Sequence, residues 1–322
     1  MAIFTLADVL QAGRDLLTTN PEPIVAYRLL REVLRVPSGS SELAGVKKVA
    51  LQGKWVHQLE ASQLPDGSWG RFHSQDTKQK TVFRTTEEAI DRAFALGLEP
   101  GEGVLKQTSL YCMKVLDGAT QLTDRSEKNE AFPLLIKYIV AGRLAQIEPA
   151  SETLDAYWKF FLDVTAQAFA SGIYSLKDEE DAFLRLSGIH VPGGFLESQH
   201  TLWILSSRHL PAQLEDAYTR WIWHKPDGIR YIRAPLHQLS SHRIAYWLRS
   251  MNIFSRFASW REISVGILNQ LWAQRDNDGL WDFGSKITCS VEFPLSQTWR
   301  QSIKRKQDYS THILVLLRKY FD

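Results

Sequence analysis

Apolar residues recur along the chain at spacings of three and four, the period of an α-helix that buries one face. The pattern is clear near the start, at Ala26, Leu29, Leu30, Val33 and Leu34, and near the end, at Ile313, Leu314, Leu316 and Leu317. Strict alternation of apolar and polar residues over the length of a strand is hard to find. The pattern therefore predicts an all-α protein.

Proline and glycine clusters mark the breaks between the predicted helices. They fall at residues 21–23, 37–41, 97–103, 118–124, 192–194 and 226–228, which gives connections of ordinary length. The stretch 284–307 is longer, and we interpret it as an insertion before the last helix. The whole chain, 1–322, is predicted to be one domain.

Two predicted helices end in the same short motif, which we call a clasp: a glutamine, then Asp-Gly, then tryptophan two residues after the glycine. The first clasp contains Gln63, Asp66, Gly67 and Trp69, and the second contains Gln274, Asp278, Gly279 and Trp281. The glycine supplies the positive φ that the turn needs, and the tryptophan is expected to fold back over the finished helix. Weaker copies run from Pro226 to Tyr231 and from Pro192 to Phe195. Their separations fit a repeat of roughly 50 residues, typical of helical arrays.

These segments resemble the QW repeats of the terpenoid cyclase and protein prenyltransferase β-subunit superfamily. Pro23 to Arg28, and the run from Arg84-Thr85-Thr86-Glu87-Glu88-Ala89 to Leu96-Gly97-Leu98, also resemble single-domain squalene-cyclase-like bacterial proteins of unestablished activity. The resemblance covers most of the chain and is strongest over 59–98 and 273–281. It implies an α/α toroid of helical hairpins, similar to an (α/α)6 barrel, around a hydrophobic cavity for an isoprenoid or another apolar ligand.

Three histidines are the most specific candidates for chemistry. His200, His242 and His312 occupy corresponding positions near the predicted starts of three inner helices, where Ser198, Ser240 and Ser310 are candidate N-caps. Thr85 or Thr86 marks the start of a fourth inner helix in the same way. If all three face one cavity, they form a set that suits zinc with an open fourth position, or proton transfer. Glu197, one turn before His200, and Cys112 are further candidate ligands. The other interpretation is that each histidine is a helix-end residue bonded to a neighbour.

The acidic motifs of the superfamily are not found. The chain has no Asp-x-Asp-Asp, with which class II cyclases protonate an alkene, and no Asp-x-Cys, part of the prenyltransferase zinc site. Glu87 lies at the position that looks equivalent to the acid motif of the cyclases, and Asp91 is the other acidic residue nearby that could replace it. A solvated carboxylic acid with a pKa near 4.3 is a poor alkene protonator. We therefore expect acid/base or metal roles for the three histidines, assisted by Glu87 and Glu197.

Aromatic and basic residues are the candidates for substrate binding. Ring faces on predicted inner or adjacent helices can stabilise cations, and guanidinium and ammonium groups of the insertion can bind a diphosphate. The aromatic candidates are Trp158, Trp203, Tyr246 and Trp247, and the basic ones are Arg300, Lys304 and Arg305. The competing interpretation is that such aromatics belong to the core and that the basic stretch is a solvated loop.

Two other functions stay open beside an enzyme of the cyclase or transferase type. The missing acidic motifs favour a catalytically silent toroid that binds a lipid or a protein partner. The cluster of Asp276, Asp278 and Asp282 is compatible with a carbohydrate-active (α/α)6 enzyme, in which paired carboxylates flank a cleft.

Composition narrows the partners and the compartment. A formal net charge of +2 and a charged fraction of 23% give no global field that would attract nucleic acid. Cys112 and Cys289 are too few for a disulfide framework, which favours a reducing cytoplasm. No signal peptide and no apolar run of membrane-spanning length is recognised, although peripheral contact with a bilayer is compatible with an apolar substrate.

Overall fold

A computed structural model describes residues 3–74, 82–125, 129–286 and 293–322 of the chain. Within these ranges the regular structure is helical, and one isolated β-bridge joins Ser198 to Arg230. The predicted all-α class is therefore confirmed.

The α-helices are α1 Leu6–Thr18, α2 Pro23–Arg28, α3 Ser41–Leu51, α4 Lys54–Ser62, α5 Thr86–Ala95, α6 Gly103–Leu116, α7 Phe132–Ile147, α8 Asp155–Ala168, α9 Leu176–Ser187, α10 Gln199–Leu205, α11 Ala212–His224, α12 Ile244–Phe254, α13 Trp260–Ala273 and α14 Ser302–Lys319. A π-helical turn, Leu29–Val33, continues α2, and 3-10 turns at Glu152–Leu154 and Ser241–Arg243 lead into α8 and α12.

Contacts divide the chain into two compact units, each assembled from separate stretches. The first unit comprises Met1–Ala61, Asp91–Leu98 and Leu236–Asp322, and the second comprises Ser62–Ile90 and Glu99–Pro235. The predicted ring of helical hairpins and the predicted single domain stay predictions.

The first unit is organised around α14. This helix packs against α1, α12 and the π-helical turn, and its residues 307–317 are all buried. A helix buried around its whole circumference belongs to the centre of a core rather than to its surface. Asp308 lies within this buried stretch, where its carboxylate accepts the backbone N–H groups of Leu295 and Ser296.

The second unit is organised around α7, whose residues 138–145 are all buried. Its most extensive contact is with α10, and it packs against α6 as well. Gly142 explains the close approach of α7 to α10, since a Cβ atom built on it would lie 2.7 Å from both Cα and Cβ of His200. No side chain fits in that space, so the glycine fixes the spacing of the two helices.

The two strong clasps form as predicted. Gly67 and Gly279 have φ values of +93° and +76°, and Trp69 and Trp281 are buried. The backbone N–H of each tryptophan donates to a hydroxyl on the helix that follows, to Thr86 Oγ1 at 3.0 Å and to Ser310 Oγ at 3.1 Å. Each clasp thus joins its turn to a later helix, and in the second clasp Trp281 Nε1 also donates to the Leu271 carbonyl of α13 at 2.7 Å.

The glutamines of the two clasps are not equivalent. Gln63 Nε2 lies 3.0 Å from the carbonyl oxygens of Gly67 and Val104 and 3.1 Å from Thr108 Oγ1. Gln274 is the exposed C-terminal cap of α13, and it lies one residue further from the glycine of its clasp than Gln63 does. The neighbouring Arg275 takes the place near the turn and stacks its guanidinium 3.6 Å from the Trp272 ring centroid.

The weaker clasps are confirmed as turns, but one aromatic assignment is wrong. Phe195 is buried after Gly193 and Gly194, both of which have positive φ. Tyr231 instead leaves 46% of its surface exposed, and its ring contacts those of His73, Phe195 and His200.

The last helix begins earlier than the sequence pattern predicts. Because α14 starts at Ser302, residues 302–307 are helical and not part of an insertion, and residues 287–292 lie outside the described residues. Lys304 and Arg305 therefore belong to a helix. Ser310, predicted to cap this helix, lies in its interior. The predicted starts at Thr86 and Ser198 are confirmed, and Ser198 caps α10 by accepting from Thr201 N–H.

Candidate metal centre

A loop after the first clasp carries His73, and one carboxylate fixes the backbone of that loop. Asp124 accepts the N–H groups of Phe72 and His73 at 2.7 Å and that of Ser74 at 2.6 Å. Three hydrogen bonds to a charged acceptor are stronger than bonds between neutral groups. Asp124 thereby sets the position of His73 from a part of the chain about fifty residues away.

The same loop receives the first turn of α5. Thr86 N–H donates to the carbonyl of Arg71 at 2.8 Å, and Glu87 N–H donates to that of Phe72 at 3.3 Å. These bonds satisfy helix-terminal N–H groups that have no partner within the helix. They also bring the two side chains together, with His73 Nδ1 2.5 Å from Glu87 Oε2.

Arg143 approaches Glu87 from α7. It is buried, its Nε donates to Glu87 Oε1 at 2.9 Å, and its Nη1 donates to Gln146 Oε1 at 2.8 Å. Burial by itself would raise the pKa of Glu87, but the charge of Arg143, followed by His200 and His73, holds that pKa well below its ordinary value. Glu87 is therefore an ionised carboxylate, which is the wrong state for protonating an alkene.

His200 completes the group from the first turn of α10. The side chain is fully buried, and its Nε2 lies 3.5 Å from Glu87 Oε1. Its ring lies nearly parallel to that of Phe195 at a centroid distance of 6.4 Å. The Gly142 contact with the backbone of His200 fixes this position from the opposite side.

His73, Glu87 and His200 form a set of potential metal ligands. One ligand atom from each lies within 4.8 Å of the others, and all three residues belong to the second unit. Two imidazoles and one carboxylate are the protein donors of a common type of catalytic zinc site, in which water or substrate takes the remaining position. The same donors also suit iron(II).

Tyr231, which is 46% exposed, lies beside both imidazoles. Its ring centroid is 5.9 Å from that of His73 and 5.5 Å from that of His200. Its φ of +74° is unusual for a bulky residue, and such strain persists where the surrounding structure imposes it, frequently at functional sites.

The prediction that His200, His242 and His312 form one set is wrong. Of these three histidines, only His200 belongs to a group of potential metal ligands in the described part of the chain. His242 is exposed in a 3-10 turn. His312 is buried within α14, with Nδ1 3.1 Å from Arg28 Nη1 and Nε2 2.9 Å from the carbonyl oxygen of Phe293. Burial, and then the charge of Arg28, lower the pKa of His312 to about 3. Both of its ring nitrogens are thus occupied within the protein.

The other candidate ligands also have different surroundings. Glu197 forms ion pairs with Lys225 and, at 3.1 Å, with Arg230, and so stabilises the turn at Pro226. Cys112 is buried in α6, and burial raises the pKa of its thiol to about 12. A neutral thiol is a poor ligand and a poor nucleophile.

The candidate substrate-binding residues are placed as follows. Trp158 and Trp203 are half-buried in the second unit, and Trp158 Nε1 donates to the Leu205 carbonyl at 3.2 Å. In the first unit, Trp247 Nε1 donates to the Leu236 carbonyl at 3.1 Å, and Arg243 lies over the ring of Tyr246. Their role in substrate binding stays a prediction.

The basic candidates are engaged with groups of the protein, except for Arg300, which is exposed. Lys304 donates to the Asn20 carbonyl at 3.3 Å, and Arg305 pairs with Asp282 at 2.7 Å. Lys306 pairs in the same way with Asp276 and Asp278. The three aspartates considered for carbohydrate chemistry are therefore all neutralised by α14.

Comparisons with protein-family models, curated proteins and solved structures return no match to this chain. The resemblance to the terpenoid cyclase and prenyltransferase superfamily therefore stays a prediction. In the part of the chain that the structure describes, none of the helices combines the length and the apolar character needed to cross a bilayer.

Proposed function

We propose that the second unit binds one zinc ion through His73, Glu87 and His200, and that the chain is a metal-dependent enzyme. The observation that carries this proposal is the approach of two imidazoles and an ionised carboxylate to within 4.8 Å. Zinc supplies, when bound, an electrophilic centre that lowers the pKa of a bound water to about 7.

The distances are compatible with such an ion. Zinc–ligand bonds of about 2.0–2.2 Å place the donors of a tetrahedral site roughly 3.3 Å apart. His200 Nε2 lies 3.5 Å from Glu87 Oε1, whereas His73 Nδ1 contacts the other oxygen, Oε2. Since the three donors lie within 4.8 Å of one another, the set must contract by up to about 1.5 Å around an ion. The His73 to Glu87 distance of 2.5 Å is that of a hydrogen bond, and it must lengthen by about 0.8 Å when a metal replaces the shared proton.

Arg143 has a positioning role in this proposal. It holds Glu87 Oε1 and leaves Oε2 directed towards His73, so the carboxylate keeps one orientation. Outer groups of this kind orient metal ligands, and their loss typically costs ten- to hundredfold in metal affinity. Tyr231, on the exposed side, controls which molecules approach the two imidazoles.

A metal-free general base is the second candidate function. The hydrogen bond between His73 Nδ1 and Glu87 fixes the histidine tautomer, so that Nε2 is the proton acceptor. The side chain of His73 is 25% exposed, which gives a substrate access to it. In this case activity depends on His73 and Glu87 and survives complete removal of metal.

Metal analysis of purified variants tests the proposal. We expect one equivalent of zinc in the wild-type protein and less than about a tenth in His73→Ala and His200→Ala, since two remaining ligands hold the ion poorly. His242→Ala, an exposed histidine of the first unit, is the matched control and should keep full occupancy. Circular dichroism confirms that each variant is folded.

Cobalt(II) titration gives an independent reading, because a low-coordinate nitrogen and oxygen site produces visible d–d absorption. A wild-type protein that takes up no zinc or cobalt, or a His242→Ala variant that loses as much metal as His73→Ala, contradicts the proposal. Stoichiometric iron instead of zinc would keep the site and change the chemistry.

For the substrate, we propose the apolar class that the resemblance implies. The rings of Phe195 and Tyr231 beside the imidazoles support it. Farnesyl and geranylgeranyl diphosphate are the first probes, with product analysis in the presence of zinc and after chelation. Absence of conversion would exclude these isoprenoids and would leave the metal analysis unaffected.

A further inference from the structure

A group of charged side chains in the first unit takes no part in the proposed metal site. At its centre is Glu32, in the π-helical turn that continues α2. Arg28 Nε and Nη2 donate to Glu32 Oε1 and Oε2 at 2.9 and 3.0 Å, and Arg31 Nη2 donates to Oε1 at 3.0 Å. Lys319, the last residue of α14, and Arg256, just after the end of α12, approach the same region from other helices. We call these five residues the basic cluster.

The basic cluster has an excess of positive charge. Its four cations and one carboxylate give it a net charge of +3. The nearby Arg35 and Arg318 share the carboxylate of Asp322, so they do not reduce this excess. The C-terminal ends of α12, α14 and the π-helical turn each carry about half a negative charge, which stabilises cations beside them. Together these ends offset about half of the net charge, and roughly one to two positive charges remain.

The hydrogen bonds and the pKa of Lys319 both reflect this excess. Its ammonium group can donate three hydrogen bonds, and in the described part of the chain it donates one, to Asn252 Oδ1 at 2.9 Å. Burial lowers the pKa of Lys319 to about 8. The charge of Glu32 opposes this shift, whereas the nearby guanidinium groups, that of Arg28 foremost, add to it. An anion beside Lys319 would supply further acceptors and neutralise the charge.

The basic cluster is accessible from solvent. The side chains of Arg31 and Glu32 are 24% and 20% exposed, and Lys319 and Arg256 are half-buried. A small ion can therefore reach the cluster without any opening of the core. Partly buried charges are also screened by salt much less than exposed ones. Arg31 Nη1 donates to the Gly97 carbonyl at 2.6 Å, which holds this guanidinium in place.

We propose that the basic cluster binds a phosphate group, either inorganic phosphate or a small phosphate monoester, through Lys319 and Arg256. A phosphate monoester carries a charge of about −1.5 to −2 at pH 7, which matches the excess of the cluster. Guanidinium and ammonium groups are the common phosphate donors of proteins, and their hydrogen bonds to oxyanions are about twice as strong as neutral ones. Arg28 and Arg31 donate to Glu32 and act on the ligand through their charge.

Isothermal titration calorimetry of the chelator-treated protein at low ionic strength measures phosphate binding without a contribution from zinc. The probes are inorganic phosphate, methyl phosphate and, as a monoanion control, acetate at equal ionic strength. We expect inorganic phosphate to bind at least about tenfold more tightly than acetate, because Coulomb attraction grows with the charge of the anion. Lys319→Met should weaken phosphate binding by about ten- to hundredfold, the effect of one hydrogen bond between charged groups. Lys48→Met, which changes an exposed lysine of the first unit, is the matched control and should bind like the wild type.

Two further measurements test the charge argument by the direction of their effects. Glu32→Gln removes the negative charge of the cluster and should tighten phosphate binding severalfold, opposite to the effect of Lys319→Met. Reductive methylation with carbon-13 formaldehyde allows NMR to follow the pKa of Lys319, through the resonance that Lys319→Met lacks. Saturating phosphate should raise this pKa from about 8 to about 9 or above, since a tenfold preference for the ammonium form corresponds to one pKa unit.

His73→Ala, in the other unit, should bind phosphate like the wild type, which separates this inference from the proposed zinc site. Phosphate that binds no more tightly than acetate would overturn the proposal, as would a Lys48→Met protein that loses as much affinity as Lys319→Met. A Lys319 pKa that phosphate leaves unchanged would equally overturn it. Equal affinity for the two phosphates would support a monoester as the ligand, and exclusion of methyl phosphate would support the free ion. If Lys319→Met does not fold, Arg256→Met, for which we expect the same loss, decides.

Discussion

Replacement of Gly142 by alanine tests how closely helix packing controls the candidate metal centre. The new Cβ would lie 2.7 Å from Cα and Cβ of His200 and 2.9 Å from its carbonyl oxygen. Carbon atoms in contact are about 3.5–4.0 Å apart, so α10 must move away from α7 by about 0.8 Å. Backbone atoms receive the contact, and a change of side-chain rotamer cannot relieve it.

Two effects on stability oppose each other in this variant. Overpacking costs about 1–3 kcal/mol, whereas alanine is better than glycine in a helix by about 0.8–1.0 kcal/mol. We expect a net loss of roughly 0–2 kcal/mol. Gly266→Ala in α13 is the matched control, because a Cβ there meets no atom within 4 Å, and it should gain up to about 1 kcal/mol.

The effect on metal binding should be larger than the effect on stability. Functional groups must be held to within about 0.5 Å of their productive geometry, and a displacement of His200 by about 0.8 Å exceeds that limit. We expect zinc affinity to fall by about ten- to hundredfold. Urea unfolding of the metal-free proteins measures the first quantity, and competition with a chromophoric chelator measures the second.

The reasoning would be refuted by a Gly142→Ala protein that is as stable as Gly266→Ala and binds zinc as tightly as the wild type. Such a result would mean that α7 and α10 have room to separate without moving the histidine. If neither the wild type nor Gly142→Ala binds zinc and the variant is less stable, the result supports the close packing of α7 against α10 but not the metal site.

Three further predictions concern single side chains. Glu87→Gln should cost about 3–5 kcal/mol in urea unfolding at pH 7, because it leaves Arg143 buried without its carboxylate. Since the pKa of Glu87 is depressed on folding, its contribution is complete above the ordinary value of 4.5 and should shrink as the pH falls further, so an equal loss at pH 3 would argue against it. Gln63→Leu should lower the free energy of unfolding by about 1–3 kcal/mol, because it removes the hydrogen bonds of the Gln63 side chain. Gln274 is exposed, so Gln274→Leu should change stability by less than about 0.5 kcal/mol. Equal losses in the two variants would contradict the structural difference between the two glutamines. Burial raises the pKa of Asp308 to about 6 from 3.8, so ionisation should destabilise the native state as the pH rises through this interval. The free energy of unfolding of Asp308→Asn, relative to that of the wild type, should therefore rise by up to about 3 kcal/mol between pH 4 and pH 7. A stability difference that does not change with pH would contradict this prediction.

Local features of the fold could be predicted from the sequence because they depend on neighbouring residues. The helical period, the positive φ of Gly67 and Gly279 and the burial of Trp69 and Trp281 all follow from short-range patterns. The end of α13 is predicted in the same way. The motif alone does not show whether the glutamine of each clasp lies at the same distance from its turn. Gln274 therefore looks equivalent to Gln63, although it lies one residue further from its glycine.

The candidate site was predicted in part. Glu87 and His200 were identified, the first from the resemblance and the second as a histidine at a helix start. His73 was missed because its position depends on Asp124, about fifty residues further along the chain. Arg143 had a detectable signal, since it follows the apolar run 138–142 of α7 and a charged residue in such surroundings is rarely buried without a partner.

The histidine set was predicted wrongly for one physical reason. His312 was placed in the first turn of a helix, and the structure begins that helix ten residues earlier, at Ser302. The basic residues 304–306 look like part of a loop, yet in the first turns of α14 each of them has a partner elsewhere in the first unit. Helix boundaries are the least reliable part of any sequence-based prediction.

The attachment of the His73 loop through Asp124 has a practical consequence for protein engineering. A single half-buried carboxylate holds three successive residues, where a strand or a helix would distribute the task over many. Substitution at this one position would remove all three hydrogen bonds, whereas Phe72, whose side chain is fully buried, would still attach the loop to the interior. Directed evolution could therefore vary the geometry around the imidazole through a single position.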